Sequence, residues 1–270
     1  MLLLSQMKLW VKIAIALPIL LIVAAGYFIF TNSGVGVDAE HPPQFIQADF
    51  IDLSKIYSIS KFRSGAGHDF SGSGETCRSM KHYFQPNSDP EFDKYFQNGG
   101  KSFPIPDPTT ATAIYSPVDG RITGVDEEQT PIGKQVGLAS DKAPQFLIRL
   151  FHLYLLDGFK AGSKVKAGEQ IAWINKGQGT DIAIQVGQMP WNEKFISYFS
   201  VLPDAVFENY KKRGVTSREE LIISKAERDA NPLKCNTDQD QRFVYPDGYD
   251  QKQDYLHLSG YQTPTDGRTP

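Results

Sequence analysis

Histidine, with five copies, and cysteine, with two, are among the scarcest reactive side chains in this chain, and their neighbours decide what chemistry they can do. "GAGHDFSG", residues 65–72, sets His68 beside Asp69 between glycines, a composition suited to a metal or proton-transfer site in a loop. The same residues suit a plain turn, in which Asp69 caps backbone amides and His68 bonds a carbonyl. His82, in "CRSMKHYF", is a further candidate ligand, since neutral imidazole binds zinc readily. His152 follows Phe151 in a strongly apolar run and reads either as a working residue or as a satisfied core histidine. Asp181 alternates with Ile182 and Ile184 in "GTDIAIQV". On a strand it either faces water or, facing inward, needs a partner or a metal. Arg63, Arg78 and Lys81 flank the His68 loop and read as a solvated charged face, with neutralisation of Asp69 or contact with a carboxylate or phosphate as the alternative.

These residues need a scaffold. Hydrophobic residues make up 40% of the chain and charged ones 22%, with a net charge of −3, which disfavours nucleic acid as a partner. The length suits one well-filled domain with appendages. Between Ala113 and Val186 short β-branched or aromatic runs alternate with glycine turns, as in "AIYSPVDGRITGV", "PQFLIRLFHLYLL" and "GSKVKAGEQIAWI". That rhythm predicts a mainly β, antiparallel sandwich or barrel. In the third run Gly162 and Gly168 are expected at turns, with Val165 and Ile171 packing inward. "LPDAVFENYKKRG" (202–214) and "TSREELIISKAERDAN" (216–231) read as two C-terminal helices, the second opening on a Thr216–Glu219 capping box. Residues 86–112 read as a long surface loop, and 236–270 as a mostly extended polar tail.

The N-terminus adds a location. From Ile13 to Phe30 no residue is charged, close to the ~20 apolar residues that cross a bilayer. Lys8 and Lys12 precede this stretch and Asp38 and Glu40 follow it, which puts the N-terminus inside and the domain outside. A cleaved signal peptide, with "VAAG" at residues 23–26, is the rival reading. Residues 1–12 are then cytoplasmic, 13–30 the span, 31–43 a linker and 44–235 the domain, ahead of the 236–270 tail. In an oxidising compartment Cys77 and Cys235 are expected to be bridged, tying the start of the domain to its end.

Two stretches, "YSPVDGRITGV" (115–125) and "FHLYLLDGFKAGSKVKAGEQIAWI" (151–174), resemble the lysostaphin-type peptidoglycan endopeptidases, with their strand, "His-Leu" strand and "Val-x-x-Gly-x-x-Ile" hairpin. The resemblance covers roughly residues 62–187 and implies the duplicated hybrid motif fold, a barrel-sandwich hybrid. It also implies a zinc site built from a His-x-Gly-x-Asp segment and a His-x-His segment. Aligned on them, Asp69 falls at the carboxylate ligand, but Gly65 stands where a histidine ligand is expected and Ala183 at the last ligand place. His152 matches the active-site histidine that is not a ligand, and Asp181 its partner.

Two readings follow. In one, His68, Asp69 and His82 rebuild a zinc site, zinc activates water, and His152 and Asp181 do the catalytic work of a cell-wall endopeptidase. In the other, which the missing ligands favour, no cofactor is held and the domain binds a cell-envelope polymer or a membrane-protein partner at the membrane surface. A swinging-arm carrier lacks its exposed lysine between methionines. An export adaptor lacks its long heptad segment.

Overall fold

The computed structural model describes residues 9–72, 74–86, 94, 107–128, 132–188, 193–236 and 242–260. Most of the 86–112 loop and the end of the tail, 261–270, lie outside them. A helix, α1 (Leu9–Asn32), comes first; its Ile13–Phe30 segment has a mean hydropathy of 2.6, and it is the one helix among the described residues long and apolar enough to cross a membrane. Its end is stitched to the domain rather than freely linked, because the Asn32 carbonyl accepts from the amide of Gln188 at 2.7 Å.

The rest is antiparallel sheet. The strands are β1 (Ile56–Ser60), β2 (His82–Pro86), β3 (Thr112–Tyr115), β4 (Gly120–Glu127), β5 (Lys134–Ser140) and β6 (Phe146–Leu155). They continue as β7 (Lys164–Val165), β8 (Gln170–Ile174), β9 (Thr180–Val186), β10 (Lys194–Ile196), β11 (Lys234–Cys235), β12 (Phe243–Val244) and β13 (Tyr255–His257). The main order is β13-β1-β2-β9-β6-β5-β4-β7, with β10 added to β9, and β8 pairing both β3 and β6. Gly162 and Gly168 take positive φ at the turns that flank β7 and β8, and Val165 and Ile171 are buried, as the hairpin pattern predicts.

Two strands position the site. β9 is buried along its whole length and divides two apolar layers. Ile182, Ile184 and Val186 enter the main core, while Ala183 joins a smaller cluster with Phe62, Met80, Phe151 and Phe195. By the two-residue period of a strand, Asp181 shares the Ala183 face and looks into the smaller layer. β6 changes sheet midway, pairing β9 up to Phe151↔Asp181 and β8 from Tyr154↔Trp173. At the crossing, Leu150 and Leu153 face β5 partners only two residues apart, Val136 and Lys134, so β6 holds one extra residue. His152 sits in this bulge with φ 63°, a left-handed conformation that histidine tolerates better than β-branched residues do.

Downstream, α2 (Asp204–Lys211) forms as expected and packs Val206, Phe207 and Tyr210 inward. The second expected helix is broken. A 3₁₀ turn (Arg218–Leu221) and a short α3 (Lys225–Ala230) flank an extended Ile222–Ile223 pair. Phe62 donates its amide to Leu221 and accepts from Ile223, so tertiary bridging takes the backbone groups a continuous helix would have used. Thr216 bonds the Glu220 carboxylate rather than capping with Glu219, and Ser224 caps α3.

The polar segment after Cys235, expected as a mostly extended tail, is in its described part packed on the domain. Residues 242–260 form a strap on the domain, with β13 paired to β1. The Cys77–Cys235 bridge, between residues 158 apart, ties a position upstream of that strap to the segment that follows the His68 loop. In the chain-entropy model closing so long a loop contributes up to about 5 kcal/mol.

Candidate functional site

Register builds the site. Tyr83 of β2 and Phe151 of β6 both lie opposite Asp181 of the strand between them, so three side chains make a row on the smaller-layer face. Lys81, two residues before Tyr83, shares that side, and the His68 loop folds Phe70 over the top, held by amide bonds from Phe70 to Arg78 and from Met80 to Phe70. The Lys81 ammonium then stands 4.6 Å from the Phe151 ring centroid, 4.8 Å from Tyr83 and 4.9 Å from Phe70. It donates to Asp181 Oδ2 at 2.6 Å, and both side chains are 2% exposed.

The charge chain continues outward. His152 Nε2 lies 3.5 Å from Asp181 Oδ2, and its Nδ1 contacts the carboxylate of Glu128, which also accepts the His152 amide at 3.3 Å. Gln178 donates to the His152 carbonyl and fixes the bulge from behind. Burial opposes charge on His152, but Asp181 and then Glu128 outweigh it and raise its pKa to about 9. Burial likewise opposes charge on Asp181, yet Lys81 and then His152 hold its carboxyl down to about 2. At neutral pH Asp181 is therefore a carboxylate and His152 an imidazolium, with Lys81 in contact on one side of the pair and Glu128 on the other.

His68 closes the mouth. Its Nδ1 is 2.9 Å from the Asp69 carbonyl and its Nε2 3.4 Å from Lys81 Nζ. Burial and the neighbouring Lys81 lower its pKa, so the neutral ring donates from Nδ1 and accepts the Lys81 proton at Nε2.

The five sequence candidates thus fall into different places. His68 and Asp181 converge on Lys81, and His152 joins the cluster through Asp181. Asp69 does not: its carboxylate accepts from the Ser71 hydroxyl and from the Arg78 amide, which is the turn-capping role. His82 points to the other layer, where its ring nitrogens meet the Ser60 carbonyl at 2.7 Å and Ser197 Oγ at 2.8 Å. Burial lowers its pKa to about 4. The charged face expected around the loop is instead interior, with Lys81 and Arg78 buried and Arg78 paired to Glu75 and Asp229. Sequence reasoning named Lys81 only as a flanking charge and passed over Glu128, which precedes a segment outside the described residues.

The zinc ion that the resemblance implies does not fit these residues. Among the described residues no group of three or more His, Cys, Asp or Glu side chains is placed to hold a metal. The donor at Asp181 already carries an ammonium, and a cation of higher charge beside Lys81 and an imidazolium meets repulsion at each approach. Gly65 is crowded as well. A Cβ there would sit 3.0 Å from the Tyr245 ring and 3.1 Å from both Leu233 and Asp254, so any side chain at this position would have to push its neighbours aside.

No family model and no curated protein matches the chain. Among solved structures it is similar to Csd3 of Helicobacter pylori, at 15% identity and a TM-score of 0.38, over 63% of this chain and 40% of that one. It is also similar to the catalytic domain of the antimicrobial peptidase lysostaphin from Staphylococcus simulans, at 15% identity and a TM-score of 0.34, over 53% of this chain and 90% of that one. LytU aligns at 19% identity and a TM-score of 0.32, over 55% and 86%. The chain spans less than half the length of Csd3.

Proposed function

We propose that this chain is a membrane-anchored peptidase-like domain, displayed outside the membrane, that binds a cell-envelope polymer or a membrane-protein partner without hydrolysing it. The observation that carries this reading is the seal over Gly65, where Leu233, Tyr245 and Asp254 occupy the space a ligand side chain would need. A hydrolytic metal site requires three protein ligands and an open water position. Here Gly65 and Ala183 offer no donor, Asp69 is bound in its turn and His82 is bound in the core. His152, held as an imidazolium between two carboxylates, has no lone pair with which to accept a proton. The pairing of β13 to β1 and the Gln188–Asn32 hydrogen bond at the end of α1 tie both ends of the described chain to the β domain, which supports a fixed body for presenting a binding face.

The test is metal content and binding on the full chain purified in detergent. The reading expects less than a tenth of an equivalent of zinc, no release of fragments from cell-wall polymer, and co-sedimentation with that polymer or retention of a membrane partner. One equivalent of zinc that is lost in His68→Ala, together with bond cleavage, overturns it in favour of the endopeptidase. A metal-free chain that neither cleaves nor binds either class of partner overturns it too.

A further inference from the structure

A lysine ammonium in a dry interior is rare and costly unless its protons and charge are fully answered. At Lys81 they are answered by three different kinds of group. One proton goes to Asp181 Oδ2 at 2.6 Å, and a second points at His68 Nε2 at 3.4 Å. The remaining surface of the cation meets the faces of Phe70, Tyr83 and Phe151 within 4.9 Å. A carboxylate facing a cage of aromatic rings is how proteins recognise ligand cations, with the ring quadrupoles and one anion replacing the hydration shell. None of this shell needs the lysine backbone: four of its five members come from elsewhere in the chain, and Asp181 is 100 residues away.

We infer that the chamber formed by Asp181, His68, Phe70, Tyr83 and Phe151 is a binding site for a primary alkylammonium group, and that Lys81 is its built-in occupant. The preference for a primary amine comes from geometry. Two directional acceptors demand two N–H donors, which a quaternary ammonium lacks, while a planar guanidinium cannot aim protons at both acceptors and keep its faces on the rings. The acceptor His68 is an exposed residue, so one side of the shell borders solvent. The inference deepens the metal-free reading and rests on it: the resident cation of this site is an ammonium carried by the chain.

The experiment removes the occupant and offers it back. Lys81→Ala deletes the equivalent of n-propylammonium, so that ion is the probe, with n-propanol as the neutral isostere and tetramethylammonium as the bulky cation, added to the full chain in detergent. Lys81→Ala is expected to lower Tm by on the order of 10 °C. Millimolar n-propylammonium is expected to restore most of that loss with a saturable dose dependence, while propanol, tetramethylammonium and sodium at equal concentration do not. Lys81→Met, which retains the apolar length without the charge, is expected to lose stability and show no rescue, and it remains informative if the alanine variant fails to fold. Equal rescue by propanol, no rescue by any amine, or a methionine variant as stable as the parent overturns the inference. Zinc content of the parent chain is measured in parallel. Zinc in the parent defeats the metal-free reading, whereas failed rescue of a zinc-free protein defeats this inference alone.

Discussion

His82 and His152 are both largely buried in one domain, two strands apart, yet at neutral pH His152 carries a charge and His82 does not. His82 meets a backbone carbonyl and a hydroxyl, neither of which offsets the loss of water around a cation, so burial wins and its pKa falls to about 4. His152 lies between Asp181 and Glu128, and the two carboxylates reverse the effect of burial, raising its pKa to about 9. Burial alone therefore predicts neither the sign nor the role of a histidine; the formal charge of its partners does. The same rule accounts for Lys81, which stays in a dry layer because Asp181 stays ionised beside it.

The largest way to break the comparison is to remove the shared carboxylate. Asp181→Ala leaves Lys81 and His152 without their common partner, and is expected to cost about 3–5 kcal/mol in denaturant unfolding. A loss below about 1 kcal/mol shows that the charges were never coupled. Next is pH. The folded pKa of His152 exceeds the ordinary value of 6.5, so its contribution is complete below about pH 6.5 and fades as pH rises through about 9. His82 is depressed, so its contribution is complete above about pH 6.5 and fades as pH falls through about 4. Stability therefore falls away on either side of pH 6.5, and His152→Gln is expected to flatten the alkaline limb, a change on the order of 3 kcal/mol across that range. Its effect on the acid side is confined to the titration of Asp181, which loses one of the groups holding its carboxyl down. An alkaline limb that persists unchanged contradicts the assignment.

Smaller effects sharpen the contrast. Gly65→Val pushes a side chain against the strap and is expected to cost roughly 1–3 kcal/mol, without touching either histidine. A neutral or stabilising outcome means that the strap yields and the seal is soft. Ser197→Ala removes one of the two partners of His82 and is expected to cost about 1–2 kcal/mol, independent of pH above 6.5. If that variant instead shifts the alkaline limb, the two histidines are coupled and the comparison fails.

How much of this was legible beforehand depends on range. The apolar N-terminal helix, the glycine turns around Val165 and Ile171, and the helix at Asp204–Lys211 follow from patterns a few residues long, and all three form. The Cys77–Cys235 bridge was legible because only two cysteines exist to pair. The failures share one cause. Ile222 and Ile223 carried a helical pattern, but the backbone of Phe62, some 160 residues upstream, donates to the Leu221 carbonyl and accepts from the Ile223 amide. The strap looked like tail because its sequence is polar, whereas β13 is held by pairing to β1 rather than by an apolar run. Lys81 looked like one more flanking charge, since no local feature announces a carboxylate 100 residues away.

The chain's own letters determined where the apolar helix lies, which turns demand glycine, and which two cysteines could pair. Those are properties of single residues and short periods. Only the folded structure decided that Lys81 and Asp181 would be shut together under Phe70, that His152 would carry charge while His82 would not, and that the strap would close over Gly65. Each of those outcomes depends on which distant group replaces water around a side chain, and that is settled by strand register rather than by neighbours in the chain.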